Sequence, residues 1–233
     1  MTEAVRAAID KCAASSLKIL CIDCGGLTEI PEEVLVLKHV ERLFLRDNSI
    51  EIIPPEIKNM ESLTTLVLER NKIKAMPPEI GELKCLEYLS LSDNRIKEVP
   101  SQIAGCVRLK ELCLERNKIN DLPHEMVGLK ELEHINLTSC LVKNIPNVLF
   151  DMANIRGLYL ADNMIAEIPK AIKRMTSLHV LNVEGNRITE LPSSLQELHS
   201  LERVYLRRNS VAVAVLVSKF KKNDFCKRVS YCD

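Results

Sequence analysis

The chain has 233 residues, of which 46% are hydrophobic and 27% charged, and these proportions exclude both a disordered chain and a membrane-spanning protein. It has 32 basic and 32 acidic residues, so its net charge of zero points neither to nucleic acid nor to a membrane surface as a partner. There is no Trp, and there are only four Phe and four Tyr, so the core is predicted to consist of aliphatic side chains.

Residues 1–16 are predicted to form a short helical cap that begins after Thr2. Val5, Ile9 and Cys12 are spaced to lie on one face of that helix, where they can cover an apolar edge of the next element. The segment carries acidic residues and has no continuous apolar run, unlike a secretory signal. We therefore expect a cytoplasmic location, with the nucleus as a second compartment, and free thiols at the nine cysteines.

Residues 17–211 contain nine copies of one 23-residue pattern, L-x-x-L-x-L-x-x-N-x-I-x-x-I-P-x-x-I-x-x-L, in which position 1 of the first copy is Leu17. The copies follow one another without insertion or deletion, which predicts a repeat solenoid. Apolar residues alternate at positions 4 and 6, so each copy is predicted to form a short strand with one buried face. Stacked copies would then pair as a parallel sheet.

Two further positions of the pattern define the turn and the return arm. Position 9 is Asn in seven copies, and its amide is expected to satisfy backbone groups of the turn, whereas Cys140 offers only a weak donor there. Position 15 is Pro in the first eight copies, and Pro cannot join a strand ladder, so the return arms are predicted to be irregular or short-helical. The predicted fold class is α/β: a right-handed, curved horseshoe with a parallel concave sheet.

The repeats resemble the leucine-rich repeats of the 23-residue intracellular class found in Ras-suppressor-like proteins, from residue 17 to about residue 211. The resemblance rests on the motif N-x-I-x-x-I-P-x-x-I, which in the fifth copy consists of Asn117, Ile119, Leu122, Pro123 and Met126. It implies a non-catalytic protein-interaction module, such as a scaffold, adaptor or regulator in intracellular signalling. It also implies a small GTPase or a phosphatase complex as the class of partner, and we expect a monomer.

Residues 212–233 depart from the pattern and are predicted to form a C-terminal cap and a basic tail. From Leu201 onward there are eight Lys or Arg and three acids, so this end carries a net charge of +5 and the rest of the chain −5. The segment Lys227–Tyr231 is similar to a short motif that docks on a protein phosphatase, although Phe or Trp is usual where Tyr stands, and it makes Ser230 a candidate phosphorylation site. The alternative function is therefore a regulatory subunit that docks a phosphatase through this tail.

Side chains at positions 3, 5, 7 and 8 are expected on the concave face, because they are not assigned to the core. Half of the aromatic residues lie at positions 3 and 5, and Tyr and Arg are typical of protein-binding surfaces; the alternative is that the rings only shield the sheet. Nine strands about 4.8 Å apart span roughly 40 Å, which suits a folded partner or a long peptide. The candidate partner-binding residues are Phe44, Arg46, Arg70, Tyr88, Glu111, Arg116, His134, Tyr159, Asn182, Tyr205 and Arg207.

A less favoured alternative is a cysteine-dependent enzyme. Cys113 and His134 fall on neighbouring strands, with Glu111 and Asn136 beside them, so they are candidates for a thiol nucleophile, a base and an orienting group. The same side chains are also candidate zinc ligands. The pattern supplies neither an enclosed pocket nor donors for an oxyanion, and we therefore expect no catalytic residue, no metal site and no cofactor.

Overall fold

A single parallel sheet forms one face of the repeats. The computed structural model describes residues 2–210 and 230–231, and within these residues ten strands pair in chain order. The strands are β1 (Ile19–Cys21), β2 (Arg42–Phe44), β3 (Thr65–Val67), β4 (Tyr88–Ser90), β5 (Glu111–Cys113), β6 (His134–Asn136), β7 (Gly157–Tyr159), β8 (Val180–Asn182), β9 (Arg203–Tyr205) and β10 (Ser230–Tyr231). The first nine pair at equivalent positions, as Leu43 pairs with Leu66. The predicted solenoid with a parallel sheet is confirmed.

The tenth strand does not continue the 23-residue spacing. In β10, Ser230 pairs with Arg203 and Tyr231 with Val204, so this strand follows β9 by 27 residues instead of 23. It extends the sheet by one short parallel strand. Residues 211–229, which hold most of the predicted C-terminal cap and basic tail, lie outside the described residues.

Helix α1 (Glu3–Ala14) precedes the first repeat. It begins after Thr2, whose hydroxyl accepts a hydrogen bond of 3.4 Å from the Val5 N–H and so satisfies one of the free N–H groups of the first turn. The side chains of Val5, Ile9 and Cys12 are buried on the face of the helix that packs against the first repeat.

The core is almost wholly aliphatic. In the third repeat, for example, Leu66 and Leu68 at positions 4 and 6 and Ile73 at position 11 are fully buried. Equivalent side chains in neighbouring repeats form one continuous hydrophobic cluster. Among the described residues, Phe150 is the one aromatic side chain in this cluster, so the scarcity of aromatic residues follows from a core slot that accepts Leu or Ile.

The return arms are short helices, as the recurrent Pro predicts. In the first repeat, Pro31 precedes a single α-helical turn, α2 (Glu32–Leu35). In the next seven repeats, position 15 Pro directly precedes a 3-10 helix, with φ between −53° and −72° at this residue. These 3-10 helices span Pro55–Asn59, Pro78–Glu82, Ser101–Gly105, His124–Gly128, Asn147–Asp151, Lys170–Arg174 and Ser193–Glu197.

The Asn residues at position 9 connect successive repeats by side-chain hydrogen bonds. The Nδ2 of Asn117 donates to the carbonyl oxygens of Leu91 and Leu114, each at 2.9 Å, and its Oδ1 accepts from the Ile96 N–H at 2.9 Å. Asn71, Asn94, Asn163, Asn186 and Asn209 repeat these contacts. The predicted role of this amide is confirmed, because it satisfies buried backbone groups of two repeats at once.

Cys140 interrupts this row. Its thiol donates a long contact of 3.4 Å to the Leu114 carbonyl oxygen, and its sulfur faces the N–H groups of Asn117 and Ile119, in place of the stronger bonds that an amide would form. The Cys140 side chain is buried, so water from bulk solvent does not supply the missing hydrogen bonds. The Cys140 thiol is therefore a weak donor in the structure, as the sequence predicts.

Replacing Cys140 with Asn is expected to raise the free energy of unfolding by about 1–2 kcal/mol, because the amide restores hydrogen bonds to buried backbone groups of two repeats. Urea unfolding followed by circular dichroism measures the change. Cys21→Asn, at an exposed cysteine, is the matched control and is expected to change stability by less than about 0.5 kcal/mol. A Cys140→Asn protein that is less stable than the wild type would contradict this account of the row.

Position 8, directly before the Asn, has a left-handed backbone in all nine repeats. The φ angle there is 55° at Cys24, 52° at Arg70, 52° at Arg116 and 64° at Gly185, and the other five copies lie in the same region. Left-handed residues other than Gly are uncommon. In the first eight repeats these N–H groups bond to the next repeat, as the Arg70 N–H bonds to the Ser92 carbonyl oxygen at 2.9 Å, and these bonds hold the conformation.

Candidate protein-binding face

Four aromatic side chains lie on the sheet face opposite the core. Phe44, Tyr159 and Tyr205 occupy position 5, and Tyr88 occupies position 3, so all four alternate with buried core residues on their strands. Each is half-buried, because neighbouring strands supply flanking side chains. Four of the five aromatic residues whose side chains the structure describes therefore lie on this face, where the core does not require them.

At the N-terminal end of the face, Arg46 contacts both the Phe44 ring and the Glu69 carboxylate. The Arg46 guanidinium lies 5.5 Å from the centre of the Phe44 ring, within the range of a cation–π interaction. Its Nε lies 3.2 Å from Glu69 Oε2, although the two atoms are not aligned for a hydrogen bond. Glu69 also accepts a hydrogen bond of 2.8 Å from the buried Ser90 hydroxyl. These contacts hold the Phe44 and Arg46 side chains in a fixed arrangement.

The centre of the face contains an open hollow of about 320 Å³ between β5, β6 and β7. Its walls include Glu111, His134 and Tyr159, three of the predicted binding residues, together with Cys113 and Asn136. The Asn136 Nδ2 donates to Glu115 Oε2 at 2.8 Å, and its Oδ1 accepts from the Thr138 N–H at 3.0 Å. The structure therefore brings together the group of polar side chains that the sequence placed on neighbouring strands.

Gly157 at position 3 of β7 leaves room for this arrangement. A Cβ atom at Gly157 would lie 2.4 Å from His134 Nδ1 and 2.9 Å from Tyr159 Cε2. Both distances are shorter than van der Waals contact. The His134 and Tyr159 rings therefore occupy the space that a side chain at position 157 would fill. Sequence reasoning did not identify Gly157; the signal was the absence of any side chain at one position of the predicted face.

The chemistry of Cys113 does not fit a catalytic thiol. Burial raises the pKa of the Cys113 thiol above its ordinary value, and the nearby carboxylates of Glu111 and Glu115 add to that rise. The hydrogen-bond contact of its sulfur is with the Tyr88 hydroxyl at 3.8 Å, and no such contact joins it to His134. A nucleophilic cysteine needs a lowered pKa, since the thiolate is the reactive form. The less favoured alternative of a catalytic thiol at Cys113 therefore gains no support, because burial without a neighbouring cation stabilises the neutral form.

Arg70 and Arg116 lie beyond the ends of their strands instead of on the sheet face. The left-handed backbone at position 8 ends the alternation that would have placed them beside the aromatic residues. Arg70 makes two hydrogen bonds to the Asp47 carboxylate, at 2.5 and 2.8 Å, which hold the Asp47 pKa below its usual range. Arg116 pairs with Asp93 at 3.1 Å. Both cations are thus exposed along one edge of the sheet and already have partners.

The C-terminal end of the face is basic. Tyr205 and Asn182 lie opposite each other on neighbouring strands, and the Asn182 Oδ1 accepts a hydrogen bond of 3.1 Å from the Glu184 N–H. Arg207 is exposed just after β9. The backbone of Ser230, the candidate phosphorylation site, is paired with that same strand.

Within residues 2–210 and 230–231, no group of three or more His, Cys, Asp or Glu side chains is arranged to hold a metal ion. No helix among these residues has the length and apolar character needed to cross a bilayer.

Comparisons with solved structures identify the fold. Internalin C2 from Listeria monocytogenes is 24% identical, with a TM-score of 0.75 over 88% of this chain and 92% of that chain. A leucine-rich repeat protein of Leptospira interrogans is 26% identical, with a TM-score of 0.68 over 88% of this chain. The receptor kinase ectodomain GASSHO1/SCHENGEN3 of Arabidopsis thaliana is 25% identical, with a TM-score of 0.66 over 78% of this chain and 23% of that chain.

The chain spans 58% of the length of the Leptospira protein and of a second Listeria internalin to which it is similar. No curated protein matches it in sequence. A leucine-rich repeat model matches residues 15–73 and 153–211, which together are just over half of the chain, and a leucine-rich repeat region model matches residues 65–160. With nine strands in register and a family model matched over half its length, the chain belongs to the leucine-rich repeat family, whose members are typically non-catalytic binding modules.

Proposed function

We propose that this protein is a scaffold, adaptor or regulator in intracellular signalling that binds a protein partner on its concave sheet. The observation that carries the proposal is the placement of Phe44, Tyr88, Tyr159 and Tyr205 on a face where the core does not require them. Aromatic side chains contribute much of the binding energy in protein interfaces, because they bury a large area at a small entropic cost.

The repeat architecture supports binding by a preformed surface. The backbone under each ring is fixed by ladder hydrogen bonds and by the row of Asn side chains on the neighbouring turns. Rings held in this way lose little conformational freedom when a partner binds, so more of the interaction energy appears as affinity. Arg46, Glu111 and Arg207 would then set the orientation and choice of partner by charge.

Two solved structures of the same fold support a protein or peptide as the partner. The GASSHO1/SCHENGEN3 ectodomain was solved in complex with CASPARIAN STRIP INTEGRITY FACTOR 2, and the peptide hormone receptor RGFR1 in complex with RGF2. The resemblance of the repeats to the Ras-suppressor-like class favours a small GTPase or a phosphatase complex as the partner here. On the same ground we propose that the protein acts as a monomer in the cytoplasm and possesses no cofactor.

Combining Tyr159→Ala with Tyr205→Ala is expected to weaken binding of the partner by about 100-fold or more, because two anchor rings are lost from one face. The partner is recovered by affinity purification on the wild-type protein and its affinity for both proteins is then measured by calorimetry. The melting temperature is expected to fall by no more than about 5 °C, since both rings lie outside the core.

The control places two truncations of apolar side chains on another surface. Val36 and Ile52 are exposed in the return arms by 66% and 70%, so Val36→Ala with Ile52→Ala is expected to leave partner binding unchanged. Partner binding that survives the double Tyr variant, or that is lost equally in the control, would contradict a concave binding face.

A further inference from the structure

The central part of the concave face carries acidic residues and lacks Lys and Arg. At positions 3, 5 and 7, the basic residues occur in repeats 2 and 9 and are Arg42, Arg46, Arg203 and Arg207. Between these two ends, the same positions contain four carboxylates and no Lys or Arg, and the carboxylates are Glu69, Glu111, Glu115 and Glu184. From repeat 2 to repeat 9 the charge of this face therefore changes sign twice, although the whole chain is neutral.

The outer two of these carboxylates are each neutralised by a neighbouring cation. Glu69 lies 3.2 Å from Arg46, and Glu184 lies 3.5 Å from Arg208. Among the residues that the structure describes, neither Glu111 nor Glu115 forms an ion pair, and the hydrogen-bond donor to Glu115 is the neutral amide of Asn136. Two negative charges thus remain uncompensated in the middle of the face.

These two charges flank the hollow between β5, β6 and β7. Glu111 forms part of its wall, and Glu115 contacts the Asn136 side chain that lines it. The half-buried Tyr159 ring forms another part of the wall, and the absence of a side chain at Gly157 leaves room for the rings of His134 and Tyr159. Its volume of about 320 Å³ is at the lower end of the range of small-ligand sites, roughly 300–1,000 Å³, and suits one long side chain.

We propose that this hollow binds an arginine side chain of the protein partner, an inference that rests on the proposed function and names the chemistry of its central contact. A planar guanidinium can pair with a carboxylate through two hydrogen bonds and can stack on an aromatic ring at the same time. Glu111 supplies the carboxylate and Tyr159 the ring, and Glu115 adds a second negative charge nearby. The negative charge of the face attracts a basic segment of the partner. The carboxylate and the ring in the hollow then favour arginine within that segment.

A library of random 12-residue peptides displayed on phage tests this inference with the full chain. Peptides are selected on the wild-type protein and sorted by whether Tyr159→Ala with Tyr205→Ala abolishes their binding. Those that depend on the concave face are expected to share an arginine, and replacing it with citrulline, a neutral isostere, is expected to weaken binding by about tenfold or more. Affinities are measured by fluorescence polarisation of the synthetic peptides.

Three variants of the protein separate the hollow from the rest of the face. Glu111→Gln removes one exposed charge and is expected to weaken binding of these peptides by about fivefold, whereas Glu184→Gln, a carboxylate of the same face outside the hollow, is expected to leave it unchanged. Gly157→Ala places a methyl group against the His134 and Tyr159 rings and is expected to reduce binding as well.

The outcomes distinguish the two proposals. Peptides that need the concave face but tolerate citrulline and Glu111→Gln would overturn the arginine site and leave the proposed function standing. If no selected peptide depends on Tyr159 and Tyr205, both proposals fail.

Discussion

Asn117→Ala is expected to lower the free energy of unfolding by about 3 kcal/mol, the cost of leaving buried backbone groups without partners. The Ile96 N–H has its hydrogen bond with the Asn117 Oδ1 and would lose it. The carbonyl oxygens of Leu91 and Leu114 lose one of two donors, because the Asn94 amide and the Cys140 thiol still reach them. The largest share of the expected loss therefore belongs to one N–H group, and the cavity left by the amide adds to it.

Urea unfolding followed by circular dichroism measures the total change. Hydrogen exchange at the Ile96 amide provides a local measure, which is valuable because a solenoid need not unfold in one step. Asn120→Ala is the matched control in the same repeat: Asn120 is exposed, and its loss is expected to cost less than about 0.5 kcal/mol. A cost below about 1 kcal/mol for Asn117→Ala would contradict the importance assigned to the Asn row.

Gly105→Ala is the second large expected effect, a loss of about 2–3 kcal/mol caused by overpacking between two return arms. The 3-10 helices Pro78–Glu82 and Ser101–Gly105 pack so closely that a Cβ at Gly105 would lie 2.3 Å from the Gly81 carbonyl oxygen and 3.0 Å from Lys84 Nζ. Lys84 can move, but the carbonyl belongs to the backbone of a neighbouring repeat. Relief therefore requires the two helices to separate.

Gly128 provides the control because it occupies the same position in the next repeat. A Cβ there would meet only the Ala104 Cβ, at an ordinary contact distance of 3.8 Å. Gly128→Ala is expected to be neutral or to stabilise by up to about 1 kcal/mol, since it restricts the unfolded chain without a clash. Thermal and urea unfolding measure the change in stability of both variants. Equal effects of the two substitutions would show that the close approach at Gly105 does not limit packing.

The repeat pattern predicted the fold because each of its positions has one dominant physical constraint. Leu66 and Leu68 alternate and are buried on one face of β3, Asn117 satisfies backbone groups, and Pro123 directly precedes a short helix. A constraint that recurs nine times can be recognised even where one copy departs from it, as Cys140 does. The face of the sheet that carries the candidate site follows from the same alternation.

The details that the sequence did not predict depend on contacts between different repeats. Arg70 and Arg116 have side chains with no preference for a left-handed backbone, so their residue types give no sign of where the strand's alternation ends. The burial that raises the pKa of Cys113 comes from side chains on neighbouring strands. Gly157 is significant only once the His134 and Tyr159 rings are known to converge on it.

The hydrogen bonds from each Asn to the preceding repeat join residues that are 21 or 26 positions apart in the chain. Parallel sheets usually bring together distant segments, and their folding is slow because long loops must close first. Here each repeat that packs on its neighbour closes a loop of only about one repeat. The loss of chain entropy is therefore small, and it is about the same at each step. Folding can therefore begin in any pair of repeats and advance along the chain in both directions.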